Sequence, residues 1–144
     1  MVMQRKLDKT YISMAEEWAQ LSCAERKKVG ALLVRDNQII SDGFNGTPKG
    51  FDNACEDLDG KTKKEVLHAE SNALMKIAQS NQSSKGATLY ITLSPCFECA
   101  KLIHQAGISR VVFKERYSDE KGIYFLMALG VEITRLGEEF ENSI

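Results

Sequence analysis

The chain has 144 residues, with 43% hydrophobic and 27% charged side chains, the balance of an ordinary globular protein. That length accommodates one domain, taken as residues 1–144, with a proper core and little room for a second. A net charge of −1 leaves no global positive field to gather nucleic-acid phosphates, so no nucleic-acid partner is expected, although a small anion needs only a local cation or two. Arg26, Lys27 and Lys28 form the densest such cluster outside Lys61, Lys63 and Lys64. No apolar run reaches the roughly 20 residues of a membrane span, and the first residues lack the apolar segment of a secretion signal. The expectation is a soluble, cytoplasmic protein with no membrane partner.

Tyr11, Met14, Ala15, Trp18 and Leu21 recur at helical spacing and predict an amphipathic helix over 7–21. Residues 29–34 read as a buried strand, Asp36-Asn37 as a turn, and 38–44 as a second strand, giving a hairpin. Residues 45–64 are loop-like, with Asn45-Gly46, Thr47-Pro48, Lys49-Gly50 and Asp59-Gly60. A loop of that length inside a compact domain is usually functional or partly mobile. A second helix over 68–79 turns Ala69, Ala73, Leu74, Ile77 and Ala78 inward. After a polar connector come a strand over 88–92, a helix over 96–106, a strand over 110–113, a helix over 122–129 and a strand over 131–134. Crossover helices make the later strands parallel, so the expected fold class is α/β, a three-layer α/β/α domain around a mixed five-stranded sheet.

His68 and Glu70 open one predicted helix, and Cys96 and Cys99 open the next, just behind Ser94-Pro95. Four cysteines would suffice for two disulfides, but a pair three apart in a chain without a secretory mark points to metal or redox chemistry. Positions three apart share a helix face, and the positive end of the helix favours thiolate over thiol. One imidazole and two thiolates would hold Zn2+ and leave its fourth position to water, which separates a catalytic site from a structural one. Glu70, two residues beyond the histidine, reaches the water rather than the metal. Either half alone is a weak signal: a histidine opening a helix is usually structural, and a lone Cys-x-x-Cys divides among metal, redox and chance. Together, His68-Ala69-Glu70 and Pro95-Cys96-Phe97-Glu98-Cys99 form the His-x-Glu…Pro-Cys-x-x-Cys pattern of zinc nucleobase deaminases. A structural zinc would want four protein ligands, and a dithiol redox module has no need of His68 or Glu70.

On these motifs the chain resembles the deoxycytidylate (dCMP) deaminases of bacterial or phage type, within the cytidine deaminase-like fold. Lys28-Val29-Gly30-Ala31, Gly43-Phe44-Asn45-Gly46-Thr47-Pro48, Gly86-Ala87-Thr88-Leu89-Tyr90 and Gln105-Ala106-Gly107-Ile108 carry the same resemblance, which runs from about residue 11 to residue 136. It implies hydrolysis of dCMP to dUMP and ammonia, supplying dUMP for thymidylate synthesis, with one catalytic Zn2+ on His68, Cys96 and Cys99. Glu70 would carry the protons, the Ala69 amide would hold the pyrimidine carbonyl, and the Ser94 carbonyl would accept from the exocyclic amine. The resemblance also implies a homo-hexamer, activated by dCTP with Mg2+ and inhibited by dTTP, with effector contacts at Gly43, Asn45 and Gly46.

For the sugar and phosphate the candidates are Asn45 and Arg26, with Tyr117 and Arg116 beside them. Each has a plainer role on offer: Asn45 as a positive-φ turn residue, Arg26 as a solvated helix-end residue, Tyr117 and Arg116 as core or surface. Some phage relatives hold a second zinc through extra histidines before the catalytic one. Here residues 53–67 hold Cys55 but no histidine, so Cys23 and Cys55 are expected to be small core residues and His104 a helix-face or core residue. Relatives acting on guanine, tRNA adenosine or a riboflavin precursor remain alternatives, although the charge of −1 disfavours a tRNA enzyme.

Overall fold

A computed structural model describes residues 2–137. The chain runs α1 (Val2–Ala19), β1 (Gly30–Arg35), β2 (Gln38–Phe44), α2 (Ala69–Ala78), β3 (Thr88–Leu93), α3 (Phe97–Gln105), β4 (Arg110–Glu115), α4 (Lys121–Ala128) and β5 (Glu132–Arg135). The sheet order is β2-β1-β3-β4-β5. β1 is antiparallel to both β2 and β3, whereas β3, β4 and β5 are mutually parallel, as the crossover helices require. The expected mixed five-stranded sheet is present, with element ends displaced by at most five residues. No helix of the described residues is long and apolar enough to cross a membrane.

Alternation along the strands divides the core into two layers. Leu32, Val34, Tyr90 and Val112 face α1, meeting Tyr11, Ile12 and Ala15. Leu33, Leu89, Ile91, Val111 and Phe113 face the other helices, meeting Ala73, Leu74 and Ile77 of α2, Ala100 and Ile103 of α3, and Leu126 of α4. The hairpin turn at Asp36-Asn37 has both residues at positive φ, 52° and 60°, as the twist of a two-residue connection demands. The Tyr11 hydroxyl donates to Asn37 Oδ1 at 2.8 Å, tying that turn to α1.

Two burial expectations fail. In α1 the buried stripe is Asp8, Tyr11, Ile12, Ala15 and Ala19, while Met14 and Leu21 are exposed. Gly30 explains the rotation: a Cβ there would lie 2.0 Å from the Ala15 carbonyl oxygen, so the helix docks on its alanine edge, backbone against backbone. Ala78, expected inward, is exposed at the end of α2.

The buried stripe includes a carboxylate. Asp8 is 1% exposed and accepts both Arg110 Nη atoms, at 2.8 and 2.7 Å, along with the Tyr90 hydroxyl at 2.6 Å and Gln4 Nε2 at 2.8 Å. Burial alone would raise this carboxyl, but the hydrogen bonds from Arg110, Tyr90 and Gln4 outweigh it and hold Asp8 below its ordinary value of 3.8. The cluster joins α1 to β3 and β4 with charge-assisted bonds. Asp8→Asn is predicted to lower stability by about 1.5–3 kcal/mol at pH 7, read by urea unfolding. A depressed carboxyl stabilises above its unfolded pKa and loses that contribution as pH falls through the folded one. The gap between the two proteins should therefore hold from pH 7 down to about 4 and narrow only below it.

Candidate active site

Two helices begin at the same point on the sheet. His68 is the residue before α2, with φ −72° and ψ 159°, and Cys96 the residue before α3, with φ −72° and ψ 169°. Neither side chain caps its own helix, so both are free to turn toward each other. Nδ1 of His68 lies 3.3 Å from Cys99 Sγ and 3.6 Å from Cys96 Sγ. A tetrahedral zinc with its usual bond lengths separates nitrogen from sulfur by about 3.5 Å, so the donor set has the chemistry and the spacing for that ion. It is the single group of three or more such donors found within this reach among the described residues.

Glycines place both helix starts. A Cβ on Gly43 of β2 would lie 2.3 Å from the Ala69 carbonyl oxygen, so α2 can sit where it does only over a bare backbone. Gly122 plays the same part under α3: its Cβ would meet the Pro95 carbonyl oxygen at 2.4 Å.

The three donors share protons through short contacts. The Cys96 sulfur is held down to about 4, first by a hydrogen bond from Cys99 and then by one from His68. Cys99 is pushed up by that same bond and by burial. The Cys96 contact also raises His68 against the opposing effect of burial. A dication replaces such shared protons, and two thiolates with one imidazole then neutralise it. Glu70, 4% exposed in the first turn of α2, is pushed up to about 7 by burial, opposed by its backbone hydrogen bond and by His68.

A cavity of about 300 Å³ opens beside these groups. His68, Ala69, Glu70, Ser94 and Cys96 line one part of its wall, and Arg26, Lys27, Asn45 and Tyr117 contribute further wall. Ser94 is buried between β3 and α3, and its hydroxyl accepts from the Tyr117 amide at 2.7 Å, which seats Tyr117 at the cavity. Asn45 is not at positive φ. Its amide is spent on the segment leading into β1, accepting from the Val29 amide at 2.9 Å and donating to the Lys27 carbonyl at 2.8 Å. Arg26 is exposed and stands on the cavity wall, and Lys27 pairs with Glu115 at the end of β4.

Of the other candidates, Gly43, Gly46, Arg116, Cys23 and His104 fall outside the cavity, whereas Cys55 lines it. Gly43 is buried under α2 and offers no surface to an effector. Gly46 is paired with Leu67 in both directions, at 3.0 and 2.7 Å. Arg116 pairs with Glu120 at 2.9 Å. Cys55 is buried as expected, whereas Cys23 is exposed and is no core residue. His104 is partly buried on α3 beside Gln105, away from the metal donors. Sequence reasoning passed over Glu56, Thr62 and Val66, which line the cavity from the long loop. The Asp59-Gly60 turn was the available signal, since it folds that loop back on itself.

Comparisons with known proteins agree with this geometry. The family model of the cytidine and deoxycytidylate deaminase zinc-binding region matches residues 5–115. The deoxycytidylate deaminase of Mycobacterium phage D29 is 35% identical, over 74% of this chain and 92% of its own length. The deoxycytidylate deaminase of Enterobacteria phage T4 is 31% identical, over 81% and 83%. The crystal structure of the dCMP deaminase from cyanophage S-TIM5, in complex with dCMP and dUMP, matches with a TM-score of 0.88 at 44% identity, covering 90% of this chain and 96% of that one. Fold and donor set together define a hydrolytic deaminase of the zinc-binding kind. The chain belongs to the cytidine and deoxycytidylate deaminase family.

Purified protein is predicted to hold one zinc per chain by elemental analysis, and Cys99→Ser to lose it. Two zincs per chain would contradict the reading of Cys23 and Cys55 as free thiols, and full retention by the variant would contradict the donor assignment.

Proposed function

We propose that the chain hydrolyses dCMP to dUMP with release of ammonia. The observation that carries this reading is one cavity lined by His68 and Cys96 of the three-donor group, the buried acid Glu70 and the cationic Arg26 and Lys27, with Cys99 in contact with His68 behind the wall. The likeness to the S-TIM5 enzyme, whose structure holds dCMP and dUMP, supports the choice of nucleotide.

Zinc on His68, Cys96 and Cys99 would supply Lewis-acid activation of water at neutral pH. Glu70 does the proton work. It takes a proton from the attacking water as oxygen adds to C4, and delivers it to N3. It then moves the remaining hydroxyl proton to the C4 amine, the C–N bond breaks, and ammonia leaves while C4 keeps its oxygen as a carbonyl. A carboxyl raised by burial suits both halves of that cycle, and a neighbouring dication would draw it back toward the carboxylate needed at the start.

The remaining wall orients the substrate. The Ala69 amide lies in the first turn of α2, where N–H groups lack helical partners, and can hold the pyrimidine carbonyl. The Ser94 carbonyl accepts from the exocyclic amine. Arg26 offers a planar fork to the phosphate, and Tyr117 closes the nucleotide against that wall. The same reading extends to a cytoplasmic homo-hexamer that supplies dUMP for thymidylate synthesis, activated by dCTP with Mg2+ and inhibited by dTTP. Its support is the resemblance of the Asn45-Gly46-Thr47-Pro48 loop.

Glu70→Gln is predicted to keep zinc and fold while losing about 10²–10⁴-fold in turnover, toward the upper end because one group serves successive transfers. Ammonia release near the wild-type rate would remove Glu70 from the chemistry. Arg26→Ala is predicted to cut kcat/KM for dCMP about ten- to a hundredfold, and to affect deoxycytidine far less. Equal losses on nucleotide and nucleoside would make Arg26 structural.

A further inference from the structure

The basic segment has no helix or strand of its own. Between the end of α1 and the start of β1, residues 20–29 run as turn, bend and irregular backbone, yet they present Arg26 and Lys27 to the cavity. Backbone N–H groups in such a segment need partners from elsewhere in the chain.

Some come from Asn45, which takes the Val29 amide and the Lys27 carbonyl, and from Ser22, whose hydroxyl donates to the Asn45 carbonyl at 2.8 Å and accepts from the Ala24 amide at 3.1 Å. The residues between them are held from the other side. Glu56 accepts the Glu25 amide on both carboxylate oxygens, at 3.1 Å each, and the Arg26 amide on one of them, at 3.2 Å. These bonds bridge about thirty residues of chain.

Glu56 is itself fixed. It pairs with Thr62 across a small antiparallel bridge, and the Lys63 amide donates to the Cys55 carbonyl at 2.7 Å. At the tip, Asp57 Oδ1 accepts the Asp59 and Lys61 amides at 2.9 and 3.0 Å, and Gly60 takes the positive φ, 78°, that the turn needs. Cys55, 1% exposed, roots this hairpin in the protein. The loop read from sequence as functional or partly mobile is thus an internally bonded arm whose carboxylate grips the backbone of the proposed phosphate-binding segment.

We infer that Glu56 is a positioning residue for nucleotide recognition: its carboxylate holds the Glu25 and Arg26 amides so that the Arg26 side chain stands on the cavity wall. The inference rests on the reading of Arg26 as the phosphate contact. An anion beside a phosphate site would ordinarily repel the ligand, so a carboxylate kept there implies that ordering the segment outweighs the repulsion. Lost order should appear in nucleotide binding rather than in the chemical step, since the Glu56 carboxylate bonds the Glu25 and Arg26 amides and makes no hydrogen bond to His68, Glu70, Cys96 or Cys99.

The test is steady-state kinetics on dCMP and deoxycytidine with zinc-loaded wild type, Glu56→Ala, Glu56→Gln, Arg26→Ala and the Glu56→Ala/Arg26→Ala double variant, each checked for zinc content and thermal unfolding. Glu56→Ala should raise KM for dCMP about tenfold with kcat changed less than about threefold, and should alter kcat/KM for deoxycytidine much less. Glu56→Gln, which keeps one amide-accepting oxygen at the same reach, should recover much of the loss. The double variant should lose little beyond Arg26→Ala alone. If Glu56→Ala lowers KM for dCMP, or if its loss multiplies fully with that of Arg26→Ala, the positioning role is overturned while the phosphate reading stands. If Arg26→Ala harms both substrates equally, the phosphate reading fails and the inference with it. Should Glu56→Ala fold poorly, Glu56→Asp, which draws the carboxylate back from both amides, decides: KM raised for dCMP more than for deoxycytidine supports the role, and equal or no change overturns it.

Discussion

An imidazole and two sulfurs must come within about 3.5 Å of one another before a single zinc can be shared among them. The protein meets that constraint by starting two helices side by side, and much of the architecture serves those two starting points. α2 and α3 lie on the same face of the sheet, one entered from a long loop and the other directly from β3. Gly43 lets the first turn of α2 rest on β2, and Gly122 lets α4 press on the Pro95-Cys96 corner. A side chain at either glycine would push a helix start away by more than the donors can follow. The same convergence brings two sets of unpaired N–H groups to one place, and their positive ends favour the thiolates that the ion requires.

The opposite face of the sheet is occupied by α1, and its contribution is rigidity. Asp8, Arg110, Tyr90 and Gln4 form a satisfied polar cluster that bonds α1 to β3 and β4. Gly30 brings the same helix down onto β1 near its end. From there the chain runs directly into the basic segment, so the position of Arg26 and Lys27 follows from how α1 is docked on one side and how Asn45 and Glu56 grip the backbone on the other. His68 and Cys96 at the starts of α2 and α3, and Arg26 and Lys27 from the segment between α1 and β1, line one cavity.

The parts most legible in the sequence were those with a local signature. Strands with continuous apolar runs, the crossover order and the His68, Glu70, Cys96 and Cys99 set each depend on residues close in the chain, and the structure brings the three ligand candidates together as spacing implied. The rotation of α1 was not legible, because it depends on Gly30, which reads as an ordinary strand residue until the helix is seen lying against it. Asn45 was singled out for substrate, yet its amide is committed to Lys27 and Val29, a pairing across sixteen to eighteen residues that no periodicity reveals. Glu56 was passed over for the same reason. It sits in a polar loop among other acids, and only the folded arm distinguishes it from Asp57 or Asp59.

In the proposed function, the corner of His68, Cys96, Cys99 and Glu70 directs water onto the amine-bearing carbon of dCMP. Mass spectrometry of the product formed from dCMP in oxygen-18 water tests it most directly, with ammonia measured in the same reaction and guanine, deoxyadenylate and CMP run alongside. The predicted result is dUMP carrying one heavy oxygen on the base and one equivalent of ammonia. Unchanged dCMP in zinc-replete protein that deaminates one of the other compounds would contradict it.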